Sequence, residues 1–115
     1  MILVVSPVFA EIVQGNGTYQ AGGEGTVTLN GEGTIILTQA TGTLWIKDAD
    51  NVNLVGFEEI GQGEHNSTIY EGSGFATISG TNVGVRFEGD ATTITGTGQG
   101  KVKFFGNGWW IAYKN

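Results

Sequence analysis

Residues 23–38 read Gly23-Glu24-Gly25-Thr26-Val27-Thr28-Leu29-Asn30-Gly31-Glu32-Gly33-Thr34-Ile35-Ile36-Leu37-Thr38. Two Gly-Glu-Gly triplets stand eight residues apart, and Thr with a short alternating run follows each. Period-two alternation of β-branched residues, punctuated by glycine, is the signature of strands. The rhythm extends both ways. Gly15-Asn16-Gly17 lies eight residues before Gly23, and Ala40-Thr41-Gly42 arrives one residue late. Farther on, the runs 75–79, 83–88, 92–95, 101–105 and 109–113 are separated by Gly80, Gly89, the glycine-rich run 96–100 and Gly106-Asn107-Gly108. No window keeps helical spacing.

Glycine supplies the positive φ of tight hairpins, and three Asn-Gly pairs (16–17, 30–31, 107–108) strengthen that reading. With each Gly-x-Gly taken as a three-residue loop, Ala21 faces Val27, Tyr19 faces Leu29, and Leu29 faces Ile35. The apolar odd positions then share one face, while Thr26, Thr28, Asn30, Thr34 and Thr38 share the other. A one-residue slip would bury the Thr face. Parity changes at 40–42, so that Leu44 and Ile46 turn inward and Trp45 outward, and a bulge would absorb the change. The expectation is an all-β fold: an antiparallel meander of about ten to twelve short strands, joined by Gly-rich hairpin turns in a sandwich or barrel. A β-solenoid with glycine corners is the alternative, which the Asn-Gly chemistry disfavours.

Composition narrows the class. The chain has 115 residues with 21 Gly, one Pro and no Cys. Collagen is excluded, because glycine keeps no three-residue period and Pro is scarce. Abundant β-branched and aromatic residues exclude a disordered chain. Five basic against eleven acidic residues give a net charge of −6, which argues against nucleic acid as a partner. No apolar run reaches the length of a membrane span. Residues 1–10 hold a short apolar run, Ser6-Pro7 and Val8-Phe9-Ala10, the layout of a signal-peptide remnant or of a first strand. The rest, 11–115, reads as a single domain whose rhythmic halves, 11–57 and 68–115, flank a middle segment. In that segment Asp48-Ala49-Asp50-Asn51 is a turn cluster, Val52–Phe57 a strand and Glu58–Ser67 a polar loop. The chain is expected to be secreted or exposed at the cell surface.

The run Tyr70-Glu71-Gly72-Ser73-Gly74-Phe75, leading into Thr77-Ile78-Ser79-Gly80, resembles the small glycine-rich secreted all-β proteins of unknown function found in archaea. It also resembles Gly-x-Gly-rich adhesin domains. That resemblance implies an extracellular module without enzymatic activity, and it carries over no catalytic residues.

Chemistry-bearing residues are few. Glu58, Glu59, Glu64, His65 and Glu71 form the one reactive cluster, and paired carboxylates could serve a small glycan hydrolase. Loop tips collect such residues without catalysis, so the expectation is no enzyme. Asp48-x-Asp50 opens like a calcium loop, but Val52 occupies the third ligand place. No cofactor or metal is expected. Phosphate-loop, dinucleotide and nucleophile-turn motifs are absent from the sequence. Asn16 and Asn66 stand in glycosylation sequons.

Aromatic residues point to binding. Trp109 and Trp110 are neighbours on a strand and must face opposite ways. A hairpin at Gly106–Gly108 would set Phe104 opposite Trp110 on the core face and Phe105 opposite Trp109 outside. Trp109, Tyr113 and Trp45 are therefore the candidate contacts to a glycan or to another surface protein. The recurrent Thr18, Thr26, Thr34 and Thr43 also resemble the Thr arrays of ice-binding surfaces, provided that a solenoid lines them up.

Overall fold

A computed structural model describes the backbone of residues 2–63 and 66–114, and the side chains of residues 15–63 and 66–112. It has three strands, β1 (Ile2–Lys47), β2 (Asn51–Gln62) and β3 (Thr68–Lys114), in one antiparallel sheet of order β1-β3-β2. The all-β antiparallel expectation is met. A strand of 46 residues would run about 150 Å if straight, yet the longest dimension of the molecule is 36 Å. The strands must therefore wind.

Pairing shows how they do it. Thr26 pairs with both Glu88 and Phe105, Leu29 with both Val85 and Val102, and Leu44 with both Tyr70 and Phe87. Most β1 residues from Gly17 to Ile46 lie between two β3 residues sixteen to eighteen apart. One turn of the coil thus takes about seventeen residues of each strand, close to twice the eight-residue rhythm of the glycines. Past the turn at 48–50, β2 continues the path of β1 and pairs with β3 alone. The chain is one long antiparallel pair, reversing direction between Gln62 and Thr68 and wound into an open coil of two flattened facets.

Glycine makes the corners. At Gly25 φ is +151° and at Gly33 it is +144°, an extended conformation that is the mirror image of the ordinary strand and essentially closed to other residues. Such a residue bends the strand without reversing it. Both glycines point into the coil, where Gly25 pairs with Gly89 and Gly106, and Gly33 with Gly80 and Gly98. A Cβ on Gly25 would lie 2.1 Å from the Phe105 carbonyl oxygen. The central residue of each triplet (Asn16, Glu24, Glu32, Gln99, Asn107) points out and is exposed.

This corrects the meander of short strands and its hairpin loops. The Gly-x-Gly triplets and the three Asn-Gly pairs lie within long strands, and the strands are interrupted only between Lys47 and Asn51 and between Gln62 and Thr68. Ala21 pairs with Ile94 and Trp110 rather than Val27, and Tyr19 with Gly96 and Ala112 rather than Leu29. Leu29 likewise does not pair with Ile35. Nor is there a hairpin at Gly106–Gly108: Phe104 pairs with Glu11 and Val27, Phe105 with Ala10 and Thr26, and Trp110 with Val4 and Ala21. The expected loop Glu58–Ser67 is strand as far as Gln62. The coil shares its glycine corners with the solenoid alternative, but its neighbouring strands run antiparallel.

Face assignments hold despite the changed partners. Tyr19, Ala21, Val27, Leu29, Ile35 and Leu37 are buried, as are Ala40, Leu44 and Ile46 after a bulge at Gln39 (φ +49°). With Ile78, Val85, Phe87, Phe104 and Trp110 they form one core between the facets. Leu29 on one facet reaches Gly96 on the other, where a Cβ would lie 2.9 Å from its Cδ2. The backbone of Ile2–Ser6 pairs with Gly108–Ala112.

Candidate functional site

The winding sorts the outward side chains into two unlike facets. One is built from segments 18–22, 34–38, 51–55, 75–79, 93–97 and 109–112, and none of them contains a charged residue. Its outward positions form rows across the strands. Thr18, Thr97, Thr34, Ser79 and Asn51 are successive partners, and so are Gln20, Thr95, Ile36, Thr77 and Asn53. Neighbours within a row stand about 4.8 Å apart. Thr38 and Thr93 pair in the next row, where Val55 pairs with Phe75, and both of that last pair are exposed. Trp109 pairs with Gly22 and lies across it, so that a Cβ on Gly22 would meet the indole Nε1 at 2.7 Å.

The second facet carries the charges. Lys101, Asn30, Gly84 and Lys47 are successive partners in one row, and Lys103, Thr28, Arg86, Trp45 and Ile69 in the next. Two residues along, Glu88, Thr43, Glu71 and Glu58 follow one another. The Arg86 guanidinium lies 4.8 Å from the centroid of the Trp45 ring and 3.4 Å from a Glu88 carboxylate oxygen. Both partners of that ion pair are about half exposed, and such pairs contribute roughly 0–1 kcal/mol.

Of the expected contact residues, Trp109 belongs to the uncharged facet and is half-buried, while Trp45 belongs to the charged one. The fold does not bring them together. The backbone of Tyr113 pairs with Thr18 on the uncharged facet, and its side chain lies outside the described residues. Glu58 and Glu71 are direct cross-strand partners, both exposed, and Glu59 is exposed opposite Tyr70. Glu64 and His65 lie outside the described residues. Among the described residues no group of three or more His, Cys, Asp or Glu could hold a metal ion, and no helix is long and apolar enough to cross a membrane. Asn16 and Asn66 are exposed.

Two hollows accompany the facets. One, of about 70 Å³, lies at a glycine corner beside Gly31, Gly33, Gly98 and Gly100; it admits water, since ligand pockets run from about 300 Å³ upward. The other is an open groove of about 620 Å³ on the charged facet around Gly84. Neither includes Glu58, Glu59 or Glu71.

No family model matches the chain, and neither a curated protein nor a solved structure matches it.

Proposed function

We propose that the protein is an exported, non-enzymatic binding module that lays its uncharged facet on a neutral polysaccharide surface. The observation that carries this reading is the exclusion of charge from six successive strand segments of a chain with sixteen charged residues. A facet that only faced water would have no reason to lack them. Hydroxyls and methyls in regular rows, with Trp109 toward one margin and Phe75 toward the other, suit a flat partner whose surface is itself hydroxyls and C–H groups. The resemblance to glycine-rich secreted proteins and adhesin domains points the same way.

Depletion from solution by microcrystalline cellulose or chitin tests it. The native protein should bind at least one of the two. Thr97→Lys should abolish binding, because it would bury an unpaired cation, and Trp109→Ala should weaken it about tenfold. Retention in the supernatant with both polymers, or equal depletion of the Thr97→Lys variant, defeats the reading. The expected array of Thr18, Thr26, Thr34 and Thr43 is split, the first and third lying on this facet and the other two beside Glu88 on the charged one. The rows through Thr18, Thr97 and Thr34 still make ice a second partner for this facet, and partition into growing ice, with the same two variants, separates the alternatives.

The hydrolase reading is weaker. Glu58 and Glu71 face each other on an exposed sheet surface, whereas glycosidic catalysis needs a bound sugar held between two carboxyl groups. Export has its own test. Intact-mass analysis of the native protein recovered from its host should find Glu11 or a neighbour as the first residue, and an intact Met1 in a cytosolic fraction would refute export. Loss of residues 1–10 leaves the β3 stretch 105–112 paired with β1 residues 19–26.

A further inference from the structure

The groove on the charged facet lies apart from the uncharged one. Its floor is Gly84, an outward position without a side chain at the centre of the row Lys101–Asn30–Gly84–Lys47. A Cβ there would come within 2.8 Å of Lys47 Cε and 3.2 Å of Asn30 Oδ1, so both side chains overhang the same spot. Trp45 and Arg86 form the adjoining wall, the guanidinium stacked on the ring. Stacking holds a guanidinium in one plane and leaves its N–H edge for an oxyanion.

Charge says what fits. The chain has five basic residues, and four of them (Lys47, Arg86, Lys101 and Lys103) fall in these two adjacent rows. Among the described residues only Arg86 has a carboxylate partner. Three ammonium groups thus have no carboxylate partner among the described residues; Lys47 lines the groove with Arg86, and Lys101 and Lys103 lie beyond Asn30 and Thr28 in the same two rows. Across such distances in water their mutual repulsion is small, and what favours an anionic ligand is the row of cationic donors left without carboxylate partners. From Lys101 to Lys47 the row spans three strand spacings, about 14 Å, which suits a chain of anions rather than one. Asn30 and Thr28 add hydroxyl-reading groups between the cations. We infer that this groove binds a linear acidic oligosaccharide, running across the strands over Gly84 with its carboxylates or sulfates on Lys101, Lys47 and Arg86. Nucleic acid fits less well: the Trp45 ring is engaged by Arg86, and the carboxylates of Glu88 and Glu71 border the site.

Calorimetric titration of the full chain at low salt tests this, with tetragalacturonate as the carboxylated probe and a sulfated tetrasaccharide as the other. Maltotetraose is the neutral control and a dT8 oligonucleotide the polyanion control. At least one acidic sugar should bind saturably, and the two acidic probes tell carboxylate from sulfate. Lys47→Gln and Lys101→Gln should each weaken binding about tenfold. Gly84→Ala should do so by displacing the Lys47 stem from the floor, since its Cβ would meet Lys47 Cε at 2.8 Å and Cγ at 3.0 Å, side-chain rather than backbone atoms. Trp109→Ala should leave this binding unchanged, which separates the site from the uncharged facet. The inference is overturned if neither acidic sugar binds, if maltotetraose or dT8 binds as well, or if the two Lys variants, shown folded by circular dichroism, bind like the native protein.

Discussion

Replacing Gly33 by alanine should destabilise the protein by more than about 3 kcal/mol, enough to unfold many domains of this size. Two effects add. The residue holds φ at +144°, and a side chain in that region costs roughly 1–3 kcal/mol. Its Cβ would then lie 1.9 Å from the Thr97 carbonyl oxygen and 3.0 Å from the Gly98 Cα. Those atoms are backbone, held in the ladder between β1 and β3, so they cannot retreat as a flexible side chain would. The damage would spread, because Gly33 pairs with both Gly80 and Gly98 and its displacement separates three neighbouring strands. Gly61 is the control. A Cβ there would have nothing within 4 Å, and the residue lies near the end of β2, so Gly61→Ala should be neutral or stabilise by up to about 1 kcal/mol. Urea denaturation of the two variants beside the native chain reads the contrast. Similar midpoints for Gly33→Ala and the native protein would show that the glycine corners are dispensable.

The same corners explain which parts of the fold are legible in the sequence. Alternation belongs to a single strand, so Val27 and Leu29 can be sent inward and Thr26 and Thr28 outward without knowing any partner. Partner identity is non-local. An eight-residue spacing of glycine pairs fits a hairpin loop and a coil corner equally, and the two differ in φ, which no residue name reveals. That is why alternation sends Phe104 and Trp110 to the core correctly, even through a hairpin that does not exist. A discriminating signal is present in the charges. Segments 18–22 and 34–38 carry none, whereas Lys47 and the pair Lys101 and Lys103 lie in runs half a coil away. The signal is partial, because 26–30 on the charged facet is uncharged as well, and the β3 runs 84–88 and 101–105 do most to set the two facets apart. The groove cannot be read in this way. Trp45 and Arg86 are far apart in sequence and meet only through the register of β1 on β3.

Trp110 offers the second large effect. It is 4% exposed and stacks on Tyr19, with ring centroids 6.2 Å apart and an interplanar angle of 18°. Truncation to alanine should cost about 3–5 kcal/mol, the usual penalty for removing a buried aromatic ring. Its neighbour Trp109 is half-buried over Gly22, on the outside of the same strand, and Trp109→Ala should cost no more than about 1 kcal/mol. Trp110→Phe sharpens the comparison. The indole Nε1 is buried and has no hydrogen-bond partner among the described residues, and an unsatisfied buried donor costs about 1–3 kcal/mol. Phenylalanine removes that donor while keeping a ring against Tyr19, so the loss of volume is offset by relief of the stranded N–H. The expected order of stability is native close to Trp110→Phe, then Trp109→Ala, with Trp110→Ala far below, as read from thermal midpoints of the four proteins. A Trp110→Phe variant as unstable as Trp110→Ala would mean that the indole N–H is satisfied in solution and that the ring's size alone does not account for its place in the core.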